Sequence, residues 1–301
     1  MTFAVLDASA SYAIHSYDTA TEQQADLSML LSTGAQCVRL DIGYAPWLTN
    51  GQATISLVSS VVSSIRSAGK CLIIADASSE TYRNGGALPW DQFKAAWVQR
   101  VAMLAALYHP DYYIVIKEPG WYVPFVSDSS TNPLFKSAND WVGLAQNLTN
   151  AVLSASPGTK VGVSVAAGGL SGSQQAFYTQ FLNQVQSVSG LSFIGFDIYG
   201  QSGQNATHNY LSRNPAQKAV WIAETWSHPS ATKASEAQSD AQWIESIYYF
   251  GQSIGAEMLM PFYTNLFSGY TVPTGSKTLV TFYEGRTPAY TEFSNVVSGN
   301  P

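Results

Sequence analysis

Short apolar runs alternate with longer amphipathic stretches along the chain, and this alternation repeats eight times. Most of the runs are apolar at consecutive positions rather than at every second one, which is typical of strands in a parallel sheet that is covered on both faces. The runs predict strands at Phe3–Ala8, Cys37–Ile42, Lys70–Ala75, Tyr112–Glu118, Lys160–Ala166, Leu191–Tyr199, Lys218–Glu224 and Ala256–Tyr263.

Between these strands, apolar residues recur at the spacing of a helix. The clearest helices are predicted at Thr21–Thr33, Ile55–Ala68, Trp90–Tyr108, Asn139–Ser154, Gln174–Ser187 and Glu236–Gly251. A helix in sixth place, near Asn209–Arg213, is short and weakly patterned, and the last, Thr287–Val297, is intermediate. Eight strand–helix units in 301 residues favour an α/β fold with a single closed (β/α)₈ barrel over an open doubly wound sheet. We expect one domain over residues 1–301.

In a barrel of this kind the active site lies at the carboxyl ends of the strands. Two glutamates, Glu118 and Glu224, each stand six residues after the start of a predicted strand. An unpaired carboxylate is costly in an apolar core, so each strand is expected to end there and to present its glutamate at the rim. Other polar residues at or near predicted strand ends are Asp7, Arg39, Asp41, Asp76, Lys117, Asp197, Tyr199 and Tyr263.

Four tryptophans are expected in loops on the same side of the barrel, namely Trp47, Trp90, Trp121 and Trp226. Trp121 and Trp226 follow the two glutamates by three and two residues. Aromatic rings can form the floor of a sugar site, and two carboxylates are what glycoside hydrolysis requires. Each tryptophan alone is better accounted for by packing, but four on one rim favour a carbohydrate site. Together with Asp76 and Tyr263 they are the candidate substrate-binding residues.

A (β/α)₈ barrel with one glutamate ending strand 4 and another ending strand 7 resembles glycoside hydrolase clan A, which includes cellulases, mannanases, galactanases and β-glycosidases. The strand-4 motif of the clan is usually Asn-Glu-Pro, and here Lys117-Glu118-Pro119 stands in its place. The resemblance implies a retaining mechanism with Glu118 as general acid/base and Glu224 as nucleophile. It covers the whole chain in architecture but only a few residues in detail, and it identifies no single family within the clan.

The resemblance also implies supporting roles for three residues. Arg39 resembles the arginine that holds the nucleophile ionised, and Tyr199 resembles the strand-6 tyrosine that donates a hydrogen bond to it. Lys117 departs from the clan, because it brings three donors and a positive charge to a place where asparagine is usual. It could reach the substrate or Glu224, or turn outward into a salt bridge. The clan often has tryptophan at the end of strand 8, where this chain has Pro261-Phe262-Tyr263.

Several alternative roles for these residues remain open. The glutamates could be structural ion-pair partners of Lys117 and Arg39, and Arg39 could equally pair with Asp41 or Asp76. A barrel that binds carbohydrate without catalysis would also keep the tryptophans. A lyase could form a Schiff base on Lys117, since aldolases carry a lysine at a barrel strand end. Such enzymes commonly grip an anionic substrate near strands 7 and 8, where no cluster of cations stands.

Composition and charge narrow the classes of partner. The net charge of −6 and the absence of a Lys/Arg cluster argue against nucleic-acid binding. No apolar run approaches the length of a membrane span. The four histidines lack metal-ligand spacing and no glycine-rich phosphate loop precedes a helix, so no metal or other cofactor is expected. Carbohydrate is the expected partner, and the sequence does not indicate an oligomeric state.

The compartment is suggested only by composition. Charged residues make up just 11% of the chain, which fits a secreted, extracellular enzyme whose signal peptide has been removed. A cytoplasmic protein would look the same, because strand-like Phe3 follows almost directly on Met1. Cys37 and Cys71 each lie at the start of a predicted strand. They could pair if these strands are neighbours, but two buried thiols are the preferred expectation.

Overall fold

The computed structural model describes residues 1–7, 27–42, 51–76, 88–119, 136–227, 236–262, 264–267, 269–274, 277–282 and 286–301. Its centre is a closed barrel of eight parallel strands in chain order. The strands are β1 Thr2–Asp7, β2 Cys37–Ile42, β3 Cys71–Asp76, β4 Tyr112–Lys117, β5 Lys160–Ala167, β6 Leu191–Tyr199, β7 Ala219–Trp226 and β8 Met258–Pro261. Thr2 of β1 pairs with Met258 of β8 and closes the ring. The predicted (β/α)₈ architecture is confirmed.

Within the described residues, helices alternate with the barrel strands. They are α1 (residues 27–32), α2 Gly51–Ser67, α3 Trp90–Tyr108, α4 Ala138–Ala155, α5 Gly172–Val185, α6 Gly200–Arg213, α7 Ala237–Ser253 and α8 Pro288–Ser298. Capping residues in the sequence mark where several of these helices begin. At α4, for example, Ser137 and Asp140 form a capping box in which each side chain accepts a hydrogen bond from the other residue's backbone N–H. None of these described helices is long and apolar enough to cross a membrane.

The last strands differ from the predicted boundaries. β7 continues to Trp226, two residues beyond the predicted end, because Thr225 and Trp226 still pair with the end of β6. β8 ends at Pro261, which has no N–H to continue the ladder. An antiparallel hairpin, β9 Gly269–Thr274 with β10 Lys277–Phe282, follows before α8 and was not predicted.

Helix α6 is longer than the pattern indicated, since it begins at Gly200 rather than near Asn209. Its buried face is made of Gly203, Gln204, Thr207 and Tyr210, which have helical spacing but little apolar character. Gly203 is required by close packing on the sheet, because a Cβ there would lie 2.7 Å from the carbonyl oxygen of Ala167. A helix that lies this close to the strands buries small and polar residues, so a search for apolar periodicity misses it.

The barrel interior has an apolar part toward the amino ends of the strands. The rings of Phe193 on β6 and Trp221 on β7 stack there with their centroids 3.6 Å apart. Gly162 of β5 leaves room for this stack, because a Cβ there would lie 2.2 Å from the Phe193 ring. The other buried side chains of the apolar interior, which continues along the strands, are Ala4, Cys37, Ile73, Ala75, Ile114, Ala223, Met258 and Met260. Charged side chains lie toward the carboxyl ends of the strands.

Cys37 and Cys71 form a disulfide, so the preference for two buried thiols is wrong. The two residues are direct register partners on β2 and β3, and their Cα atoms are 4.4 Å apart. Each cysteine is the first residue of its strand, and the register places these first residues opposite one another. Both side chains therefore face the barrel interior from adjacent strands, within the reach of a disulfide.

Candidate active site

One extra residue in β7 turns Glu224 into the barrel. Ile222 pairs with Phe196 of β6, and the next pair along the two strands is Glu224 with Asp197, so Ala223 is the extra residue. The same shift occurs against β8. Ala223 packs in the barrel interior, and strict alternation along the strand would then have sent Glu224 outward. This β-bulge lets two consecutive side chains face inward.

A second bulge, in β4, has a different effect. Ile114 pairs with Gly162 of β5 and Ile116 pairs with Val163, so Val115 is the extra residue. Ile114 belongs to the interior layer, and strict alternation would have brought Glu118 inward as well. The bulge instead places Lys117 inward. The sequence did not reveal either bulge, because each extra residue is as apolar as its neighbours.

Four side chains form a charge cluster at the mouth of the barrel: Arg39, Asp41, Lys117 and Glu224. Arg39 is completely buried and donates from Nε to Asp41 Oδ1 at 2.5 Å and from Nη2 to Glu224 Oε1 at 2.6 Å. Lys117 Nζ lies 3.0 Å from Asp41 Oδ2 and 3.3 Å from Glu224 Oε1. Tyr199 donates its hydroxyl proton to Glu224 Oε2 at 3.0 Å. Both oxygens of Glu224 are thus held by donors from other strands.

The charge cluster keeps Arg39, Asp41 and Lys117 charged despite their burial. Burial alone would lower the pKa of Lys117, but the negative charges of Asp41 and Glu224 outweigh it and the pKa is raised. The same balance raises the pKa of Arg39. Burial alone would raise the pKa of Asp41, and here Arg39 and Lys117 outweigh it, so the pKa is lowered. Lys117 is turned inward and is not in an outward salt bridge.

Glu118 lies one residue beyond β4 and has a left-handed backbone, with φ of +49°. Such a conformation costs a residue with a side chain roughly 1–2 kcal/mol, so the surrounding structure must impose it. Glu118 N–H donates to the carbonyl oxygen of Ser164 on β5 at 3.0 Å, and the residue is 8% exposed. Its charge acts on Asp197 of β6 by raising the pKa of that carboxyl group. The two predicted glutamates thus both lie buried at the carboxyl ends of their strands.

Asp197 was noted as a polar residue near a predicted strand end but was given no role in the site, and Ser164 was not predicted. Ser164 donates from Oγ to Asp197 Oδ2 at 2.9 Å, and both residues are completely buried. Asp197 precedes the predicted Tyr199 by two residues, so the strand alternation that brings Tyr199 inward was the available signal. In the part of the chain that the structure describes, no group of three or more His, Cys, Asp or Glu side chains is placed to hold a metal ion.

The aromatic candidates lie in different places. Trp226 is 1% exposed at the end of β7, and its ring centroid is 6.2 Å from that of Phe267. Trp90 begins α3 rather than lying in a loop, and its buried ring packs against Phe93 and Trp141. Trp47, Trp121 and Tyr263 lie outside the described residues, and so does the side chain of Asp76 at the end of β3.

Phe262 is an aromatic residue that the candidate set lacked. Lys117 Nζ lies 5.8 Å from the centroid of its ring. The ring also makes an edge contact with Tyr199, with centroids 6.3 Å apart. It follows β8 directly, where the sequence had suggested the neighbouring Tyr263 as the aromatic contact. Phe262 is therefore the described aromatic side chain that touches two members of the site.

The architecture is shared with solved glycosidases. The β-glycosidase BGL167 aligns with a TM-score of 0.63 and 12% identity, over 92% of this chain and 86% of its own. The chain shares the (β/α)₈ barrel fold of these solved glycosidases. An endo-1,4-β-mannanase from Rhizomucor miehei aligns with a TM-score of 0.61 and 14% identity, over 83% and 84% of the two chains. A GH10 endoxylanase from a sugarcane soil metagenome aligns with a TM-score of 0.61 and 12% identity, over 98% of this chain and 96% of its own. Neither a family model nor a curated protein sequence matches the chain.

Proposed function

We propose that this protein is a retaining glycoside hydrolase that cleaves a poly- or oligosaccharide, with Glu224 as nucleophile and Glu118 as general acid/base. The observation that carries the proposal is the pair of buried glutamates at the carboxyl ends of β4 and β7 in a barrel shared with glycosidases. Their surroundings differ, since Glu224 is bound by two cations, whereas Glu118 lies beyond its strand in a left-handed backbone and its charge acts on the buried Asp197. Two carboxyl groups in unlike surroundings can hold different protonation states, as the reaction needs.

The reaction would proceed in two displacements. In the first, Glu118 gives its proton to the glycosidic oxygen while Glu224 attacks the anomeric carbon, so the bond from that carbon to the leaving oxygen breaks and a glycosyl ester forms. In the second, Glu118, now a carboxylate, takes a proton from water. The water oxygen attacks the anomeric carbon and releases Glu224 as a carboxylate. The configuration at the anomeric carbon is inverted twice and hence retained.

Arg39, Tyr199 and Lys117 would position the nucleophile. Arg39 and Lys117 both reach Glu224 Oε1, and Asp41 bridges the two cations, so their side chains hold one another in place. Tyr199 orients the other oxygen. We further propose that Trp47, Trp121, Tyr263 and Asp76 line the substrate site. The candidates Trp90 and Trp226 are buried in packing contacts and offer little ring surface to a sugar.

The Schiff-base lyase is disfavoured by the state of Lys117. A Schiff base forms only on a neutral amine, so such a lysine needs a lowered pKa. The pKa of Lys117 is instead raised, because the charges of Asp41 and Glu224 outweigh the effect of burial. A barrel that only binds carbohydrate would have no use for a nucleophile held by three donors. We therefore rank hydrolysis above both alternatives.

The disulfide between Cys37 and Cys71 supports a proposal about the compartment. Disulfides persist in oxidising surroundings and are rare in the reducing cytosol. We infer that the protein acts outside the cell or in another oxidising compartment. Counting free thiols in protein purified under conditions that prevent thiol exchange tests this, and two free thiols in the native protein would contradict it.

The function is tested with a panel of aryl glycosides and polysaccharides, on the unchanged protein and on two matched variants. Glu224→Gln removes the nucleophile's charge, whereas Glu257→Gln makes the same change at an exposed residue beside the amino end of β8. We expect hydrolysis of at least one substrate by the unchanged protein and by Glu257→Gln only. No turnover of any glycoside, or equal turnover by both variants, would contradict the proposal.

Retention is tested by the stereochemistry of the product. Proton NMR during the first minutes of hydrolysis should show the anomer that has the configuration of the substrate, before mutarotation mixes the two. The inverted anomer would rule out the double displacement. It would also leave the roles of both glutamates to be assigned again.

A further inference from the structure

A third carboxyl group lies beside the two glutamates and has no place in the proposed reaction. Asp197 is 0% exposed on β6, and its register partner on β7 is Glu224. Its Oδ2 accepts a hydrogen bond from Ser164, and its Oδ1 has no hydrogen-bond partner among the described residues. A buried polar atom in that state calls for a physical reason.

We propose that Asp197 is a positioning residue that works as an uncharged carboxylic acid, keeping a third negative charge out of the site and fixing the strand end that carries Glu118. The inference rests on the proposed roles of Glu118 and Glu224. It assigns Asp197 no bond to the substrate. Its effect is exerted through the neighbouring carboxyl groups and through Ser164.

The balance of charge in the site supports an uncharged Asp197. Arg39 and Lys117 supply two positive charges, and Asp41 and Glu224 offset them in direct ion pairs. In the first displacement Glu224 would lose its negative charge while Glu118 gains one. The net charge of the site is therefore unchanged as long as Asp197 stays neutral. An ionised Asp197 would add an anion for which no direct cation contact is found among the described residues.

On balance, the surroundings of Asp197 raise the pKa of its carboxyl group. Burial raises the pKa of Asp197, and the charge of Glu224 on β7 raises it further, as does the charge of Glu118 beyond β4 whenever Glu118 is ionised. Arg39 on β2 and Lys117 on β4 act the other way, but the pKa remains well above its usual value. Each of these cations is in direct contact with Asp41 and Glu224.

Ser164 links Asp197 to the acid/base residue. Its hydroxyl donates to Asp197 Oδ2 at 2.9 Å, while its carbonyl oxygen accepts from the N–H of Glu118 at 3.0 Å. Glu118 has the left-handed backbone that its surroundings must impose. A shift of Asp197 on ionisation would therefore reach Glu118 through one residue.

The protonation state is measured without any substrate. Infrared spectra of protein labelled with ¹³C at the aspartate carboxyl groups distinguish the carbonyl stretch of a carboxylic acid from the bands of a carboxylate. We expect the acid band at neutral pH in the unchanged protein, and its loss in Asp197→Asn. Asp240→Asn is the matched control, because Asp240 is also buried and accepts from a serine, Ser227, but lies on α7. Absence of the acid band at neutral pH would overturn the proposal.

The dependence of stability on pH gives a second test. Asp197 binds its proton more tightly in the folded than in the unfolded chain, so its contribution is fully present below the unfolded pKa and is lost as the pH rises through the folded pKa. The Asp197→Asn variant has no carboxyl group to ionise at this position, so it does not lose stability in this way as the pH rises. Its unfolding temperature, relative to that of the unchanged protein, should therefore rise with pH, while that of Asp240→Asn should not. A difference that is constant with pH would contradict an uncharged Asp197.

The positioning role is tested by the pH profile of kcat on an activated aryl glycoside, which needs little help from an acid. We expect Asp197→Asn to move the alkaline limb to higher pH by about one unit or more. Ser164→Ala should move it in the same direction, since it removes a donor that stabilises the ionised form. This second variant keeps the test available if Asp197→Asn does not fold.

The outcomes separate this inference from the proposed function. An alkaline limb that stays in place in both variants, with normal turnover by Asp240→Asn, would overturn the positioning role and leave the glycosidase proposal standing. Failure of the unchanged protein to turn over any glycoside would overturn the positioning role together with the proposed function. The infrared band would still decide whether Asp197 is uncharged.

Discussion

Strands β4 and β7 each carry one extra residue near the carboxyl end, yet the glutamates that follow stand in different surroundings. On β7 the bulge at Ala223 brings Glu224 into the barrel, where Arg39, Lys117 and Tyr199 hold it. On β4 the bulge at Val115 removes Glu118 from the inward register. Glu118 then follows the strand in a left-handed backbone.

The difference suits two carboxyl groups with different tasks. A nucleophile must be held in one place, and two cations with a hydroxyl donor hold Glu224. An acid/base must gain and lose a proton in each cycle. By turning Lys117 inward, the β4 bulge gives Glu224 its second cation. We expect the two strand ends to respond differently to mutation.

The largest effect is expected on the β7 side. Glu224→Gln keeps the shape of the side chain, but an uncharged amide cannot attack the anomeric carbon, so kcat/KM on the best substrate should fall by about 10³-fold or more. Circular dichroism and binding of the same glycan should show that the fold and the site persist. A variant with more than about a tenth of the original rate would remove Glu224 from the role of nucleophile.

On the β4 side the loss should depend on the leaving group. Glu118→Ala should slow substrates with poor leaving groups by about 10²–10⁴-fold, and should slow activated aryl glycosides far less, because these need little protonation. Azide should partly restore the rate and yield a glycosyl azide with the configuration of the substrate. Glu245→Ala, at an exposed position of α7, is the control. An equal loss for all leaving groups, with no rescue by azide, would argue against Glu118 as acid/base.

These two strand ends also show what the sequence could reveal. The apolar runs predicted the barrel, and polar residues at the ends of the runs predicted Arg39, Lys117, Tyr199 and both glutamates near its mouth. The bulges were invisible, because Val115 and Ala223 look like any other residue of an apolar strand. The inward direction of Lys117 depends on a bulge and could not be predicted.

Other parts of the site were not predicted because their sequence signals are short or polar. Ser164 sits within a strand, and its contact with Asp197 depends on the register between β5 and β6. Strand register likewise decided the pairing of Cys37 with Cys71. Helix α6 buries small and polar residues, so it lacked an apolar stripe. The register between strands and the close packing of a helix on the sheet arise only in the folded barrel. The pattern of apolar and polar residues along the sequence carries little information about either.

A smaller effect is expected where the two strand ends meet, at Lys117. Lys117→Met keeps the length of the side chain but removes the ion pairs with Asp41 and Glu224, so kcat/KM should fall by about ten- to a hundredfold, the range for a charge-assisted hydrogen bond. Lys117→Asn should also change the ranking of substrates, since it replaces a cation with a neutral amide. Lys160→Met, at the exposed start of β5, is the control. Unchanged rates and ranking in both Lys117 variants would show that this lysine takes no part in the reaction.

The smallest effect isolates the backbone of Glu118 from its chemistry. Glu118→Gly and Glu118→Ala both lack the carboxylate, and they differ in whether a Cβ must be accommodated at φ of +49°. Because glycine adopts positive φ without that steric cost, Glu118→Gly should be more stable than Glu118→Ala by about 1 kcal/mol in urea unfolding. The same pair at Glu245, inside helix α7, should give the opposite sign and a similar size, since glycine weakens a helix relative to alanine. If alanine is at least as stable as glycine at both positions, the left-handed conformation at the end of β4 carries no strain, and the difference between the two strand ends lies in their charges alone.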